Sequence, residues 1–379
     1  DQTPIMQNKE LSFEDFRQTV INDYKVGRIS RETSLLGRRE VLTGKAKFGI
    51  FGDGKEVAQI AMAKVFQNGD FRSGYYRDQT FMMAAGLLTV QEFFAQLYAH
   101  PSIEAEPATA GRAMNGHYAT RLLNDDGSWK NQTQSKNSSA DISPTAGQMP
   151  RLLGLALASK FYRNNPELKS DHFKNFSVNG NEVAFGTIGD ASTSEGLFFE
   201  TINAAGVLQV PMVISIWDDG YGISVPNKYQ TTKQSISEAL QGFERTQEKP
   251  GYEIIRAKGW AYAELWDAYE QAAKIARTEH VPVMVHIQQM TQPQGHSTSG
   301  SHERYKSKER LMWEEEFDCL RKMREFMLQS AIATEQELDA IDAEAKKFVN
   351  DGKKQAWDSF TSEINSERLQ ALSLAEAAI

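Results

Sequence analysis

Apolar residues along this chain fall into two patterns, short continuous runs and runs at helical spacing, and their alternation predicts the fold. Val183–Ile188 and Met212–Trp217 are largely apolar runs, the pattern of strands covered on both faces in a parallel sheet. Further strands are expected over Glu253–Arg256 and Val281–Ile287. Helical spacing marks Glu56–Phe66, Val90–Ala99, Met149–Tyr162, Glu195–Leu208 and Tyr262–Thr278. From Phe48 to about Gln289 the two kinds of segment alternate without internal repeats. The expected fold class is therefore α/β, a doubly wound and mainly parallel sheet.

Both flanks are helical in pattern. A polar lead precedes an amphipathic helix carrying Phe13, Phe16, Val20, Ile21 and Tyr24, and beyond Glu309 the chain is rich in Glu, Lys and Ala. This suggests a helical arm over residues 1–35, a body over 36–309 and a helical region over 310–379. Within the body, 291–307 lacks apolar periodicity and contains two histidines, so it is expected to be a long loop. Loops of that length in a compact domain are functional or disordered. Leu123–Ser143 is a second polar loop with both alternatives open.

Composition narrows the class. The 379 residues are 40% hydrophobic and 24% charged, an ordinary globular balance large enough for one large domain or two smaller ones. No apolar run approaches the roughly 20 residues of a membrane helix. A net charge of -8 without a Lys/Arg cluster argues against a nucleic-acid partner. One cysteine, Cys319, excludes an internal disulfide framework and points to a reducing setting. That setting is a cytoplasm, or a mitochondrial matrix after removal of a targeting segment.

The chemistry concentrates between Gly189 and Tyr221. A strand ends in Gly189-Asp190-Ala191, residues 192–217 supply a helix and a second strand, and Asp218-Asp219-Gly220-Tyr221 follows. Both acidic turns thus lie at carboxyl ends of parallel strands, where open α/β sheets bind ligands. Mg²⁺ takes oxygen ligands in near-octahedral geometry, and Asp190, Asp219 and the Tyr221 carbonyl are candidates. Ser192-Thr193-Ser194-Glu195 has the pattern of a capping box, whose amides suit an anion. The alternative is that Asp190 caps a helix and the acidic pair is a solvated turn. Gly52-Asp53-Gly54 has no acidic or amide pair at the required distance and reads as a turn before a helix.

The run GDASTSEGLFFETINAAGVLQVPMVISIWDDGYGIS resembles the thiamine-diphosphate fingerprint, usually Gly-Asp-Gly, about 26 residues and Asn-Asn. More narrowly, the chain resembles the alpha subunit of the decarboxylating component of 2-oxo acid dehydrogenase complexes, nearest the branched-chain type. Gly74–Asp78, Gly111–Tyr118, Ser143–Pro150 and Gly295–Ser299 resemble successive blocks of that family in its order. The resemblance implies thiamine diphosphate and Mg²⁺ as cofactors. It places Tyr76, Arg77, Ser143, Thr145, Gly189, Asp190, Ala191, Ser192, Asp219, Tyr221 and His296 on the cofactor, with Asp190, Asp219 and Tyr221 on the metal. His117 and His296 are the catalytic candidates, facing the reacting ring and sitting on a lid over the diphosphate.

The implied reaction is oxidative decarboxylation of a 2-oxo acid, with the acyl group passing to lipoyl-lysine of a transacylase. The resemblance also implies a beta subunit or fused beta half that supplies the pyrimidine-binding domain and its glutamate, in an alpha2beta2-type assembly. This chain is not expected to be active by itself. Several positions depart from the family's pattern: Asp218-Asp219 replaces Asn-Asn, Trp217 stands where branched-chain relatives have Arg, and Thr145 where they have Leu. Gly147 lacks the hydroxyl of a potassium site, and His302 matches nothing. These departures keep two other readings in view, a non-catalytic scaffold or regulatory paralogue and a metal-dependent phosphohydrolase using Asp190, Asp218 and Asp219.

Overall fold

A computed structural model describes residues 12–378; the polar lead expected over the first eleven residues lies outside the described residues. The strands, in chain order, are β1 (Phe71–Ser73), β2 (Asn137–Ser138), β3 (Ala184–Gly189), β4 (Met212–Trp217), β5 (Tyr221–Gly222), β6 (Val225–Pro226), β7 (Glu253–Lys258) and β8 (Val283–Gln288). Six of them form a single sheet in the order β2-β1-β3-β4-β8-β7, and every neighbouring pair is parallel. β5 and β6 form a small antiparallel ribbon. The chain leaves β1 for β2 on one side, then crosses to β3 on the other. Such a reversal opens a crevice at the carboxyl edge.

The central strands are apolar on both faces because each face meets its own helical layer. Phe185, Val213, Val283, Val285 and Ile287 enter one core with Val57, Ala61, Leu265 and Ala272 of helices Glu56–Val65 and Tyr262–Glu279. Their neighbours Ala184, Ile188, Met212, Ile214, Ile216 and Met284 point the other way. They meet Met149, Leu152, Phe198 and Ile202 of helices Gln148–Asn164 and Gly196–Leu208. The period-two alternation of a strand makes this division automatic. β1 and β2 carry no such signal; they are short and polar, and pairing with β3 holds them in place.

The expected division near residue 35 falls inside one continuous helix, Phe13–Leu42. Its Val20 and Tyr24 are buried in the main core, and Arg31 is buried and forks onto Glu56 at 2.7 and 3.0 Å. Phe13 and Phe16 remain exposed. At the other end, helix Glu335–Ala377 starts from a Thr334–Glu337 capping box and packs Val349 and Ala356 against Phe93, Phe94 and Leu36. Its residues from 363 onward are exposed. Among the described residues no helix is long and apolar enough to cross a membrane.

The expected capping box at Ser192–Glu195 does not form. Thr193 turns its amide and its hydroxyl back onto the Asp190 carbonyl, which tightens Ala191–Ser194 into a 3₁₀ turn. The helix starts only at Gly196, and its N-cap Glu195 makes no side-chain cap bond.

Gly186 in β3 lets Leu152 lie against the sheet, since a Cβ there would stand 2.1 Å from Leu152 Cδ2. Gly186→Ala is expected to destabilise the fold by about 1–3 kcal/mol through overpacking. Leu152→Ala in the same chain should return part of that loss, as read by denaturant unfolding.

Candidate active site

A cleft of about 570 Å³ opens at the carboxyl edge of the sheet, and five connections build its wall. After β1 come Tyr75, Tyr76 and Arg77; after β2, Ser143 and Thr145. Gly189, at the end of β3, is followed by Asp190, Ala191 and Ser192, while Trp217 ends β4 and precedes Asp219 and Tyr221. His296 arrives on the long connection after β8. Of the residues that the resemblance places on the cofactor or in catalysis, His117 alone does not line the cleft. It is buried directly behind the wall, with Nδ1 2.9 Å from the Met114 carbonyl and Nε2 3.0 Å from the Ser143 hydroxyl. A carbonyl only accepts, so Nδ1 carries the hydrogen and Nε2 accepts from Ser143.

The floor is an ionic lattice. The fully buried Asp78 carboxylate accepts from Arg72 Nε at 2.8 Å, the Tyr75 amide at 3.3 Å, Trp217 Nε1 at 3.2 Å and the Thr187 hydroxyl. Arg72 also forks onto Asp141 at 3.0 and 3.1 Å. Trp217 is thus buried for its indole donor and its bulk.

The three carboxylates of the acidic turns have different surroundings. Asp190 is buried, and burial, then Asp218 and Asp219, push its carboxyl well above the usual range. Burial would raise Asp219 too, but Lys55, Arg77 and Lys306 outweigh it and hold that carboxyl below its ordinary value. Lys55 Nζ lies 3.1 Å from Asp219 Oδ2, and the Tyr221 amide lies 3.2 Å from Oδ1. Asp218 is not among the residues that line the cleft, although it stands close enough to Asp190 to raise it; it accepts from His286 Nε2 at 2.8 Å and the Gly220 amide at 2.9 Å. Buried acids without enough positive charge suit a cation. Among the described residues no cluster of three His, Cys, Asp or Glu side chains is placed for a metal. An ion between Asp190 and Asp219 would therefore draw its remaining ligands from backbone carbonyls, phosphate oxygens or water.

Among the described residues Arg77 makes no salt bridge. Asp70 belongs to Arg277, at 2.8 Å, and Asp78 to Arg72. Arg77 Nη1 donates to the Phe51 carbonyl at 2.6 Å, and Nη2 lies 3.0 Å from His296 Nδ1 and 2.9 Å from the His296 carbonyl. Burial, then the Arg77 charge, lowers His296 to about 4. Its imidazole is neutral at pH 7, with Nδ1 accepting. The connection is tied down elsewhere by the Thr298 amide to Gly49 at 2.9 Å and the Gln294 amide to Asp53 at 2.9 Å.

Sequence reasoning missed Lys55, Gln292, Tyr305 and Lys306, all of which line the cleft. Lys55 follows the Gly52-Asp53-Gly54 turn that reads as an isolated feature in the sequence. The turn is clamped beneath the lid: Gly54 has φ +87°, and a Cβ there would meet the Thr291 carbonyl at 2.1 Å. The glycine spacing was visible, but not what it packs against.

The sequence profile of the dehydrogenase E1 component family matches residues 28–365. The chain belongs to this family. Its parallel α/β sheet is the fold of an E1 component's thiamine-diphosphate-binding domain, and the family is generally thiamine-diphosphate-dependent. The chain is 24% identical over 316 residues to the 2-oxoisovalerate dehydrogenase subunit alpha of Bacillus subtilis, covering 83% of each chain. It is 26% and 25% identical over 317 residues to the mitochondrial 2-oxoisovalerate dehydrogenase alpha subunits of Pan troglodytes and Homo sapiens. Those matches cover 83% of this E1 chain but only 61% of theirs. None of these relatives supports the scaffold or phosphohydrolase reading.

Two outcomes follow from the geometry. Asp78→Ala should cost about 3–5 kcal/mol in chemical denaturation, because it strands a buried guanidinium and an indole donor. His296 is depressed in the folded chain, so the unfolded chain takes up a proton first as pH falls. Its contribution is complete above about 6.5 and is lost as pH falls toward about 4. Hydrogen exchange in residues 291–307 should accelerate across that window, and His296→Asn should flatten the dependence.

Proposed function

We propose that this chain is the alpha subunit of a branched-chain 2-oxo acid dehydrogenase. It would act with a beta subunit or beta half, in an alpha2beta2-type assembly, to decarboxylate a 2-oxo acid oxidatively and acylate lipoyl-lysine on a transacylase. The observation that carries this reading is the convergence of the sequence blocks at Tyr76–Arg77, Ser143–Thr145, Gly189–Ser192, Asp219–Tyr221 and His296 on one cleft. Thiamine diphosphate, when bound, supplies the carbanion chemistry that lets carbon dioxide leave.

The chain's own residues bind and orient. Asp190, Asp219 and the Tyr221 carbonyl would hold Mg²⁺, and the pairing of a buried acid with a compensated one supports that assignment. Tyr76 and Arg77 serve the diphosphate end, where a guanidinium makes forked, charge-assisted bonds. Gly189, Ala191 and Ser192 would let the cofactor approach the chain closely, and Thr145, which lines the same cleft, would support it. His296 on the lid donates from Nε2, since Nδ1 is committed to Arg77. The Met114 carbonyl fixes Nδ1–H of His117, so Nε2 is where that ring gains and loses a proton, toward Ser143 and the cleft.

A partner is supported by the rim. Met114, Ile223 and Val225 line the cleft yet are 40%, 61% and 43% exposed, an apolar edge of the kind that interfaces cover.

The test is reconstitution. The chain purified alone should release no carbon dioxide from 3-methyl-2-oxobutanoate. With its beta partner, thiamine diphosphate and Mg²⁺ it should do so, faster than from pyruvate. Full activity without any partner, or phosphate-ester hydrolysis without thiamine diphosphate, would overturn the proposal.

A further inference from the structure

Lys55 is the one site cation whose three ammonium protons all have acceptors on two different loops. Its side chain is 1% exposed, and Nζ lies 3.1 Å from Asp219 Oδ2, 3.1 Å from the Thr291 carbonyl and 2.7 Å from Gln292 Oε1. The first acceptor is the carboxylate standing where the family's usual fingerprint has Asn. The other two begin the lid. A neutral side chain at 55 would leave Asp219 facing Asp190 and an incoming diphosphate without its nearest counter-charge. An Asn at 219 would need no such counter-charge.

Gln292 is a second, independent sign. An ammonium group offers no acceptor, so the amide oxygen of Gln292 must face Lys55 and the NH₂ must face away. That Nε2 is buried without a hydrogen-bond partner among the described residues, on a residue that is 3% exposed and lines the cleft. Lys55 thus aims a buried donor that the protein itself does not satisfy, as a phosphate oxygen would.

We infer that Lys55 is a positioning residue for the diphosphate: it neutralises Asp219 and, through Thr291 and Gln292, fixes the root of the lid against the metal-binding turn. Lys55 and Asp219 are then one unit, an acid and its own base, in place of a neutral amide. The other acid of the pair, Asp218, accepts a hydrogen bond from His286 instead. This inference rests on the thiamine-diphosphate reading given above.

The test is a double-mutant cycle with two readouts. In the complex with the beta partner, thiamine diphosphate is titrated calorimetrically at several Mg²⁺ concentrations. Lys55→Gln should weaken binding about 30-fold at low Mg²⁺, the order expected when a buried charge loses its partner, with partial recovery at high Mg²⁺. Adding Asp219→Asn should return affinity to within about threefold of the parent, because the charge imbalance is gone. A merely structural lysine would not shift the Mg²⁺ requirement. Unchanged binding by Lys55→Gln, or a double variant as weak as the single one, overturns the inference.

The second readout is thermal unfolding of the full chain alone. Each single variant should unfold earlier, and the double variant later than additivity of the two losses. Additive losses count against the pair. If Lys55→Gln does not fold, the double variant decides: folded and cofactor-binding supports the pair, unfolded refutes it. A parent complex that binds no thiamine diphosphate would sink the cofactor reading instead, while the unfolding cycle still tests the pairing.

Discussion

The buried carboxylate of Asp78 is the joint on which the cleft depends. It collects donors from the end of β1 through Arg72 and Tyr75, from β3 through Thr187 and from β4 through Trp217. Arg72 carries the same lattice on to Asp141, beyond β2. The strands on both sides of the sheet's reversal are therefore locked together from beneath, directly under the loops that carry Arg77, Thr145, Asp190 and Asp219. A fully satisfied network of this kind holds one geometry, because any displacement strands a buried charge. It also accounts for Trp217. An arginine at the end of β4 would bring a second buried guanidinium to a floor that already holds Arg72, whereas an indole brings one neutral donor and apolar bulk.

Above that floor the governing condition is charge balance. Asp218 and Asp219 are adjacent in sequence but belong to different environments. The first is hydrogen-bonded to His286 and the Gly220 amide, and the second lines the cleft with Lys55 against it. In a medium of low effective dielectric, an unanswered carboxylate beside another acid is far costlier than it is in water. The acidic pair in this fingerprint is therefore structurally provided for at both positions, which is not what decay of a disused site would leave.

Much of this was legible in the sequence, and the physical reasons for what was not are specific. β3, β4 and β8 announced themselves because both faces are buried. β1 and β2 did not, since Phe71-Arg72-Ser73 and Asn137-Ser138 are strands only through pairing with their neighbours. The N-terminal helix showed apolar spacing through Phe13 and Phe16, which are exposed. Its continuation to Leu42 is buried through Gly27, Ser30, Arg31 and Ser34, residues that give no hydrophobic period. The ordered blocks pointed to the residues that line the cleft. Lys55 lay outside them, because a lysine after a glycine turn signals nothing until the turn is seen folded under the lid. The Ser192–Glu195 capping pattern failed for a local reason, the competing pull of the Asp190 carbonyl on Thr193.

The two histidines of the site show how partners, more than residue type, divide the labour. Both have Nδ1 engaged, but in opposite senses. The Arg77 guanidinium donates to His296, so Nδ1 there is an acceptor, and the adjacent charge holds the ring neutral at physiological pH. The Met114 carbonyl accepts from His117, so Nδ1 there is a donor and leaves Nε2 as the basic nitrogen. His296 is thereby confined to donating a hydrogen bond without gaining charge, as the proposed place of its loop over a diphosphate would require. His117 keeps the nitrogen at which a proton can be exchanged, and the Ser143 hydroxyl stands between that nitrogen and the cleft. Partners that fix opposite tautomers on two like rings leave one ring a donor and the other an acceptor at the same nitrogen.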